Sequence, residues 1–491
     1  MSTAPVRVRF APSPTGIPHL GNLRTAIVNW LFARHHGGAF VIRTEDTDAE
    51  RSLAVHEQDH FDALRWLQLD WDEASDIGGP YGPYRQSERR AIYDAALAKL
   101  FAAGKAYYCF CTESMLHAER RRANSVGVPY VYSRRCRRLD PSEVDSRRGI
   151  GEPAVIRFDI HAHDTVVHDL IKGEIRFSGE LLGDFVIVRA DGTPTYNFVA
   201  AVDDIAMEIS HVLRGEDHLT NTPRQMAIQE TLGHVPPKYG HLPLLLGVSG
   251  AKMSKREGAF SVFRYQRQGI LSEALVNALS MLGWSPADHS LGELYTAREL
   301  ASIYDLSRVS HSSAQFQIDK LHWFNAQHLR RADPARLLEA FREFYQVRYP
   351  NREVPPSLAN PRPGSEAILS ELQPSFGEMQ TAIRDFRAVV RRPSRKQVIA
   401  LLGIDLEPGV KAVMQRAKEE VPEWGTLSVE EVTAKLKTLQ KQLKETEGIT
   451  PQTFYHTLRV LLTGYEQGPE LKLVIHLLDP IELRARLDMQ L

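Results

Sequence analysis

His19 and Gly21, near the end of the run RFAPSPTGIPHLGN (Arg9 to Asn22), and Lys252 and Lys255, in the run KMSKR (Lys252 to Arg256), are residue types suited to handling phosphate. An imidazole at the start of a helix sits beside unpaired backbone N–H groups and the positive end of the helix dipole, a place that favours an anion. Two cations flanking Met253 and Ser254 in a Gly-rich loop suit developing negative charge on a phosphate better than a structural salt bridge. Arg9 and Arg214 each close an apolar strand-like run, so both point at the crevice where doubly wound folds bind ligands. No Ser-His-Asp or Cys-His arrangement suggests a protein nucleophile.

The elements that must carry these residues are legible in the hydrophobic pattern. Val6, Val8 and Phe10 alternate as a strand, and Leu23, Ile27, Trp30 and Leu31 fall on a helix that stops at Gly37 and Gly38. A second strand, Phe40 to Arg43, completes half of a doubly wound sheet with a phosphate-sized turn after strand one. Helical runs follow at DHFDALRWLQLDW and from Ser87 to about Gly104, with the turn-rich DIGGPYGPY between them. After Tyr107 the character changes to cysteines, an Arg-rich helix at Arg120 to Arg122, and β-like runs AVIRFDI and DFVIVRADG. The first fold resumes with TYNFVAAVDD and HVLRGEDH, read as a strand and the start of a helix, with Arg214 ending the HVL strand. Beyond Ser261 the period is mainly helical. Ser428 and Glu431 form a capping-box start ahead of a Lys-rich face at Lys435, Lys437 and Lys441.

At 491 residues the chain is too long for one core. With 43% hydrophobic and 25% charged residues it has the make-up of a soluble globular protein. A formal net charge of −1 argues against a uniformly basic nucleic-acid coat, so any such surface must be a local patch. No apolar run nears membrane-spanning length, Met1 to Pro5 does not read as a leader, and 3 cysteines make a poor disulfide framework. No membrane association and a reducing cytoplasm are expected.

Together the two phosphate-suited stretches resemble the HIGH and KMSKS signatures of class I aminoacyl-tRNA synthetases. RFAPSPTG, TEDTD from Thr44 and LRGEDH from Leu213 resemble the bacterial glutamyl-tRNA synthetase family in particular. The resemblance is most specific over the first 260 or so residues. It implies an α/β Rossmann-type doubly wound parallel sheet with an α+β insertion, followed by all-α C-terminal domains. The expected division is a catalytic domain at 1–107 and 185–250 and an acceptor-end-binding insertion at 108–184. A stem-contact region at 251–329 carries KMSKR, and a helical anticodon-binding domain has parts at 330–390 and 391–491. The implied reaction joins glutamate to the α-phosphate of ATP and passes the acyl group to tRNA. It requires positioning and charge stabilisation and no covalent enzyme intermediate.

By the same resemblance His19, Gly21, Lys252 and Lys255 meet ATP, which brings its own Mg2+ as substrate. Arg9 and Tyr196 face the glutamate side-chain carboxylate, Arg214 the α-carboxylate, and Glu45 with Ser13 the ammonium; Ala11 lies in the same set. Ala200 stands where some relatives have an asparagine. Asp203, Asp204, Asp46 and Asp48 are read as loop and helix-capping carboxylates in preference to metal ligands. Cys109, Cys111 and Cys136 match a C-x-C…C pattern of zinc-bearing relatives. Arg138 stands at the usual histidine, and Tyr132, four before the last cysteine, is the substitute ligand for one structural Zn2+. Partners implied are L-glutamate and tRNA(Glu), with tRNA(Gln) as a second candidate and Arg387, Arg391, Arg392 and Arg395 as loose anticodon contacts; a monomer is expected. The rival readings are a non-catalytic tRNA-binding paralogue and a small-molecule nucleotidyltransferase. Intact His19, Lys255, Glu45 and Arg214 argue against the first, and the long helical rear against the second.

Overall fold

Val8 and Phe10 alternate with Arg7 and Arg9, yet all four residues of strand β1 (Arg7–Phe10) are buried. Burial on both faces marks an interior strand of a parallel sheet. The structure, a computed structural model, describes residues 5–47, 53–160, 164–247, 261–288, 290, 292–361, 363–403 and 405–489. Lys252, Lys255 and Asp48 lie outside the described residues. The chain divides into two compact units, one of Met1–Phe263 with Leu275–Ile318, the other of Arg264–Ala274 with Asp319–Leu491.

In the first unit, α1 (Leu20–His35) connects β1 to β2 (Ala39–Ile42), which pair in parallel with Arg7 opposite Ala39. The helix ends where Gly37 takes φ +61°, a conformation that costs glycine nothing. Helices α2 (Ala54–Trp66) and α3 (Arg90–Ala102) come next. There follow β3 (Ala106–Cys109), α4 (Glu113–Ser125), α5 (Pro141–Gly149) and β4 (Val155–Phe158). Hairpin strands β5 (Thr165–Asp169) and β6 (Gly173–Phe177) lead through the short α6 (Gly179–Leu182) to β7 (Phe185–Val188). Strand β4 pairs antiparallel with both β3 and β7, so this stretch is α+β as expected. The Arg-rich run lies on α4.

Helix α7 (Tyr196–Ala206), strand β8 (His211–Gly215), α8 (Thr222–Thr231) and β9 (Lys238–Leu242) restore the parallel pattern, His211 opposite Lys238. The Ser210 N–H donates to the Arg7 carbonyl at 3.0 Å, which brings β8 alongside β1. TYNFVAAVDD is thus a helix and not a strand. Its buried Phe198, Val199, Ala201 and Val202 pack against Tyr93, Leu100 and Ile187, and packing on more than one side conceals a helical period.

In the second unit the described chain is almost all helical. Phe341 on Pro334–Arg348 packs against Phe376 and against Phe386 on Met379–Val390, ring centres 6.3 and 6.0 Å apart. Ser428 caps Val429–Glu447 as a capping box with Glu431, as its sequence predicts. The fully buried Arg486 donates to the carbonyls of Ala388, Val389 and Leu462 at 2.9, 2.6 and 2.5 Å. One guanidinium thereby satisfies carbonyls at the ends of two helices that would otherwise be buried unpaired.

Candidate active site

A cleft of about 590 Å³ opens at the carboxyl ends of β1, β8 and β9, where parallel sheets of this kind bind ligands. Arg9, Ala11, Ser13, His19, Gly21, Glu45, Tyr196 and Arg214 all line it. These are all the candidate ATP- and glutamate-contacting residues that the structure describes. Ala200 is fully buried in α7.

His19 is the N-cap of α1. Its Nδ1 accepts the N–H groups of Gly21 and Asn22 at 3.1 and 3.4 Å, and the Asn22 side chain answers with a bond from the His19 N–H. An imidazole that accepts through Nδ1 carries its proton on Nε2, so the ring is a donor at that edge. Gly21 lets the imidazole lie close against the helix start, because a Cβ there would stand 3.0 Å from His19 Cε1 and press on the ring.

Beneath the cleft lies a buried ionic network. Asp204 accepts from Arg9 Nε at 3.1 Å and from Arg43 at 2.7 Å. Asp203 accepts from Arg89 at 2.7 Å, Gln86 at 2.8 Å and Tyr93 at 3.0 Å. Both aspartates lie inside α7, which corrects the reading of them as loop or capping carboxylates. Asp46 accepts from the N–H and hydroxyl of Ser87, 41 residues along the chain, at 2.8 and 2.6 Å. Burial pushes the Asp203 carboxyl upward against the pull of Arg43 and Arg89. At Asp204 burial also raises, but Arg9 and Arg43 together hold it below the usual range. Asp203→Ala would leave Arg89 and Arg43 buried with fewer partners, and a loss of about 3–5 kcal/mol is expected. A chemical denaturation series measures it; an unchanged midpoint would show that the arginines find other partners.

Among the described residues the terminal nitrogens of Arg9 have no protein partner, so its fork is available to a carboxylate in the cleft. Glu45 sits between Arg43, 3.4 Å away, and the Pro12 carbonyl that accepts its N–H at 2.9 Å. Burial raises its pKa although Arg43 and Arg9 oppose it, so a cationic ligand group would relieve the site. Arg214 is wired differently. It donates to Gln225 and Thr222 at 2.8 Å, His241 at 3.2 Å, the His218 carbonyl at 3.3 Å and the Tyr196 hydroxyl at 3.4 Å. The last two are the weakest and the ones an incoming carboxylate would displace. His218, on the cleft wall, is pushed down to about 4 by burial and the Arg214 charge, so it is neutral.

Sequence reasoning missed Arg43, Arg89, Asp203 and Asp204 as the frame of Arg9, and His241, Gln225 and Thr222 as the frame of Arg214. Two adjacent aspartates at the end of the apolar run TYNFVAAVDD were the available signal.

Away from the cleft, Cys109, Cys111 and Cys136 bring their sulfurs within 4.8 Å of one another. The Tyr132 hydroxyl lies 3.3 Å from Cys109 Sγ and 3.5 Å from Cys111 Sγ. A tetrahedral zinc with bonds of about 2.3 Å separates its sulfurs by about 3.8 Å, and Cys111 and Cys136 are 3.5 Å apart. The donor set therefore fits such an ion. Arg138 is exposed in the adjoining turn. A hydrogen bond from Cys136, with others from Tyr132 and Arg157, holds the Cys109 thiol well below the usual range.

Residues 5–323 match the family model described as tRNA synthetases class I (E and Q), catalytic domain, and residues 394–491 the anticodon binding domain. The glutamate–tRNA ligase of Natranaerobius thermophilus is 40% identical over 489 residues, 97% of this chain and 96% of that one. That of Desulforamulus reducens is 40% identical over 492 residues, 99% of each chain. Among solved structures, a glutamate tRNA ligase from Elizabethkingia meningosepticum in complex with its amino acid has a TM-score of 0.77 at 31% identity over 99% of both chains. With the model spanning most of its length and relatives matched end to end, this chain belongs to the glutamate–tRNA ligase family of class I tRNA synthetases.

Proposed function

We propose that this enzyme activates L-glutamate with ATP as glutamyl-adenylate and transfers the acyl group to tRNA(Glu), releasing AMP and diphosphate. The observation that carries this reading is one cleft holding two arginines, a carboxylate and a His19-capped helix start. Two arginines and one carboxylate match glutamate's two carboxylates and one ammonium. Arg9 with Tyr196 takes the side-chain carboxylate, Arg214 the α-carboxylate, and Glu45 with Ser13 the ammonium, beside the Ala11 backbone. His19 Nε2–H and the α1 N-terminus receive ATP phosphate, with Lys255 and Lys252 of the KMSKR run as further phosphate contacts and Mg2+ entering with ATP. All of this is positioning and electrostatics; no protein bond to substrate forms.

The proposed division keeps the catalytic domain at 1–107 and 185–250, the acceptor-end insertion at 108–184, the stem-contact region at 251–329 and the helical anticodon parts at 330–390 and 391–491. A cavity of about 340 Å³ in the second unit, lined by Tyr345, Tyr349, Arg384 and Arg387, supports Arg387 as an anticodon contact. Arg392 is paired with Glu482 at 2.8 Å, which makes it the weaker candidate. Among the described residues no helix is long and apolar enough to cross a membrane. A cytoplasmic monomer is proposed.

The purified protein is expected to charge a tRNA(Glu) transcript with labelled glutamate in an ATP-dependent manner. No charging of any tRNA would leave a non-catalytic tRNA binder. A parallel assay with tRNA(Gln) decides the second partner.

Cys109, Cys111, Tyr132 and Cys136 are proposed to hold one structural Zn2+ that pins the start of the insertion to its return segment. Elemental analysis of protein purified without added metal is expected to find about one zinc per chain. Cys136→Ser should lose it and weaken tRNA binding before ATP binding. Zinc near zero with normal charging by Cys136→Ser would reduce the cysteines to packing residues.

A further inference from the structure

Arg214 is fastened by its Nε–H to His241 Nε2 at 3.2 Å, and the Thr222 hydroxyl lies 3.1 Å from the same nitrogen while accepting from the Arg214 terminal nitrogen. The Arg214 Nε–H can only donate, so Nε2 must be an acceptor and the His241 proton must sit on Nδ1, which also leaves Nε2 able to accept the Thr222 hydroxyl. Nδ1 lies 2.5 Å from Asp169 Oδ2, a carboxylate that can only accept. The other Asp169 oxygen accepts the N–H groups of Ile171, Lys172 and His241 at 2.9, 2.8 and 3.2 Å. Lys172, at the same turn, reaches Glu216 at 2.5 Å. His241 is fully buried, and Asp169 and Arg214 are 6% and 5% exposed. Neither Asp169 nor His241 lines the cleft.

We infer that Asp169 and His241 are positioning residues for glutamate binding: Asp169 sets the His241 tautomer, and His241 orients the Arg214 guanidinium. The inference rests on the reading of Arg214 as the α-carboxylate contact. Asp169 belongs to the hairpin of the insertion and His241 to β9, so the insertion braces the amino-acid site. A carboxylate fixing an imidazole so that its far nitrogen presents the right lone pair is a general device. Burial and the Arg214 charge keep His241 neutral despite Asp169, which a ring accepting from a guanidinium needs.

The discriminating variant is Asp169→Asn. It preserves shape and can still accept the backbone N–H groups, but its amide donates where Oδ2 accepted. The His241 proton then moves to Nε2, facing the Arg214 N–H. Steady-state tRNA charging should show KM for glutamate up roughly 10–100-fold, the scale of one charge-assisted hydrogen bond, with KM for ATP within about twofold. Selective 15N-histidine spectra should show His241 as the Nδ1–H tautomer in the wild type and Nε2–H in Asp169→Asn. His241→Gln supplies an acceptor with no tautomer to set, so adding Asp169→Asn to it should change KM for glutamate by less than about threefold.

An Nε2–H tautomer in the wild type would overturn the inference. So would unchanged KM for glutamate in Asp169→Asn, or an equal rise for glutamate and ATP. Should Asp169→Asn fail to fold, His241→Gln against His241→Leu decides, since equal KM values for glutamate would also overturn it. Arg214→Gln separates the underlying reading. Unchanged KM for glutamate there would sink that reading and this inference together. A raised KM there with a wild-type value in Asp169→Asn would sink the inference alone.

Discussion

Arg9→Gln is expected to remove roughly 10³ of the preference for glutamate over glutamine, the scale available to a polar site without editing. The two amino acids are nearly isosteric, so size cannot separate them. Glutamine's amide cannot match a carboxylate's charge-assisted bonds to the Arg9 fork and leaves a buried cation partly unpaired. Arg9 is 4% exposed, and among the described residues only its Nε is held, by Asp204, which leaves the fork for the proposed ligand carboxylate. Asp204 keeps Arg43 at 2.7 Å when Arg9 is replaced, so the fold should survive the exchange. Competition kinetics with both amino acids measure the ratio. Full activity with full preference in Arg9→Gln would place specificity elsewhere in the cleft.

His19→Asn should slow adenylate formation by roughly 10²–10³, the scale for losing one preorganised donor, while leaving stability close to wild type. Asparagine is among the best N-caps, so it can replace Nδ1 toward the Gly21 and Asn22 N–H groups. It cannot present the Nε2–H on the other side of the ring. Lys255→Ala should fall by a similar factor with glutamate binding little changed, since the role proposed for that residue is to contribute charge at the phosphate. Rapid-quench measurement of the adenylate, with a melting curve beside it, separates chemistry from folding. Normal adenylate formation with an unchanged melting temperature in His19→Asn would make His19 a cap and nothing more.

Local pattern carried much of what this protein is. The strand before Arg9, the turn-and-cap signature around His19 and the Ser428–Glu431 capping box each depend on residues a few positions apart. Such short-range arrangements are set by backbone sterics, hydrophobic period and capping, all of which are written in neighbouring residues. The partners of the key side chains are not. Arg9 meets Asp204 across 195 residues, Arg43 meets Asp204 across 161, and His241 meets Asp169 across 72. Read locally, Asp203 and Asp204 looked like capping groups, because an unpaired carboxylate belongs at a surface. Only the long-range packing that brings Arg9, Arg43 and Arg89 to α7 makes two buried aspartates tolerable. Tyr132 joined the cysteines in both readings, since its spacing from Cys136 is local, but its contact with Cys109 is a fact of the fold. A sequence names the groups that can do chemistry; which charges face each other in a dry interior depends on long-range packing, and there the tertiary structure decides.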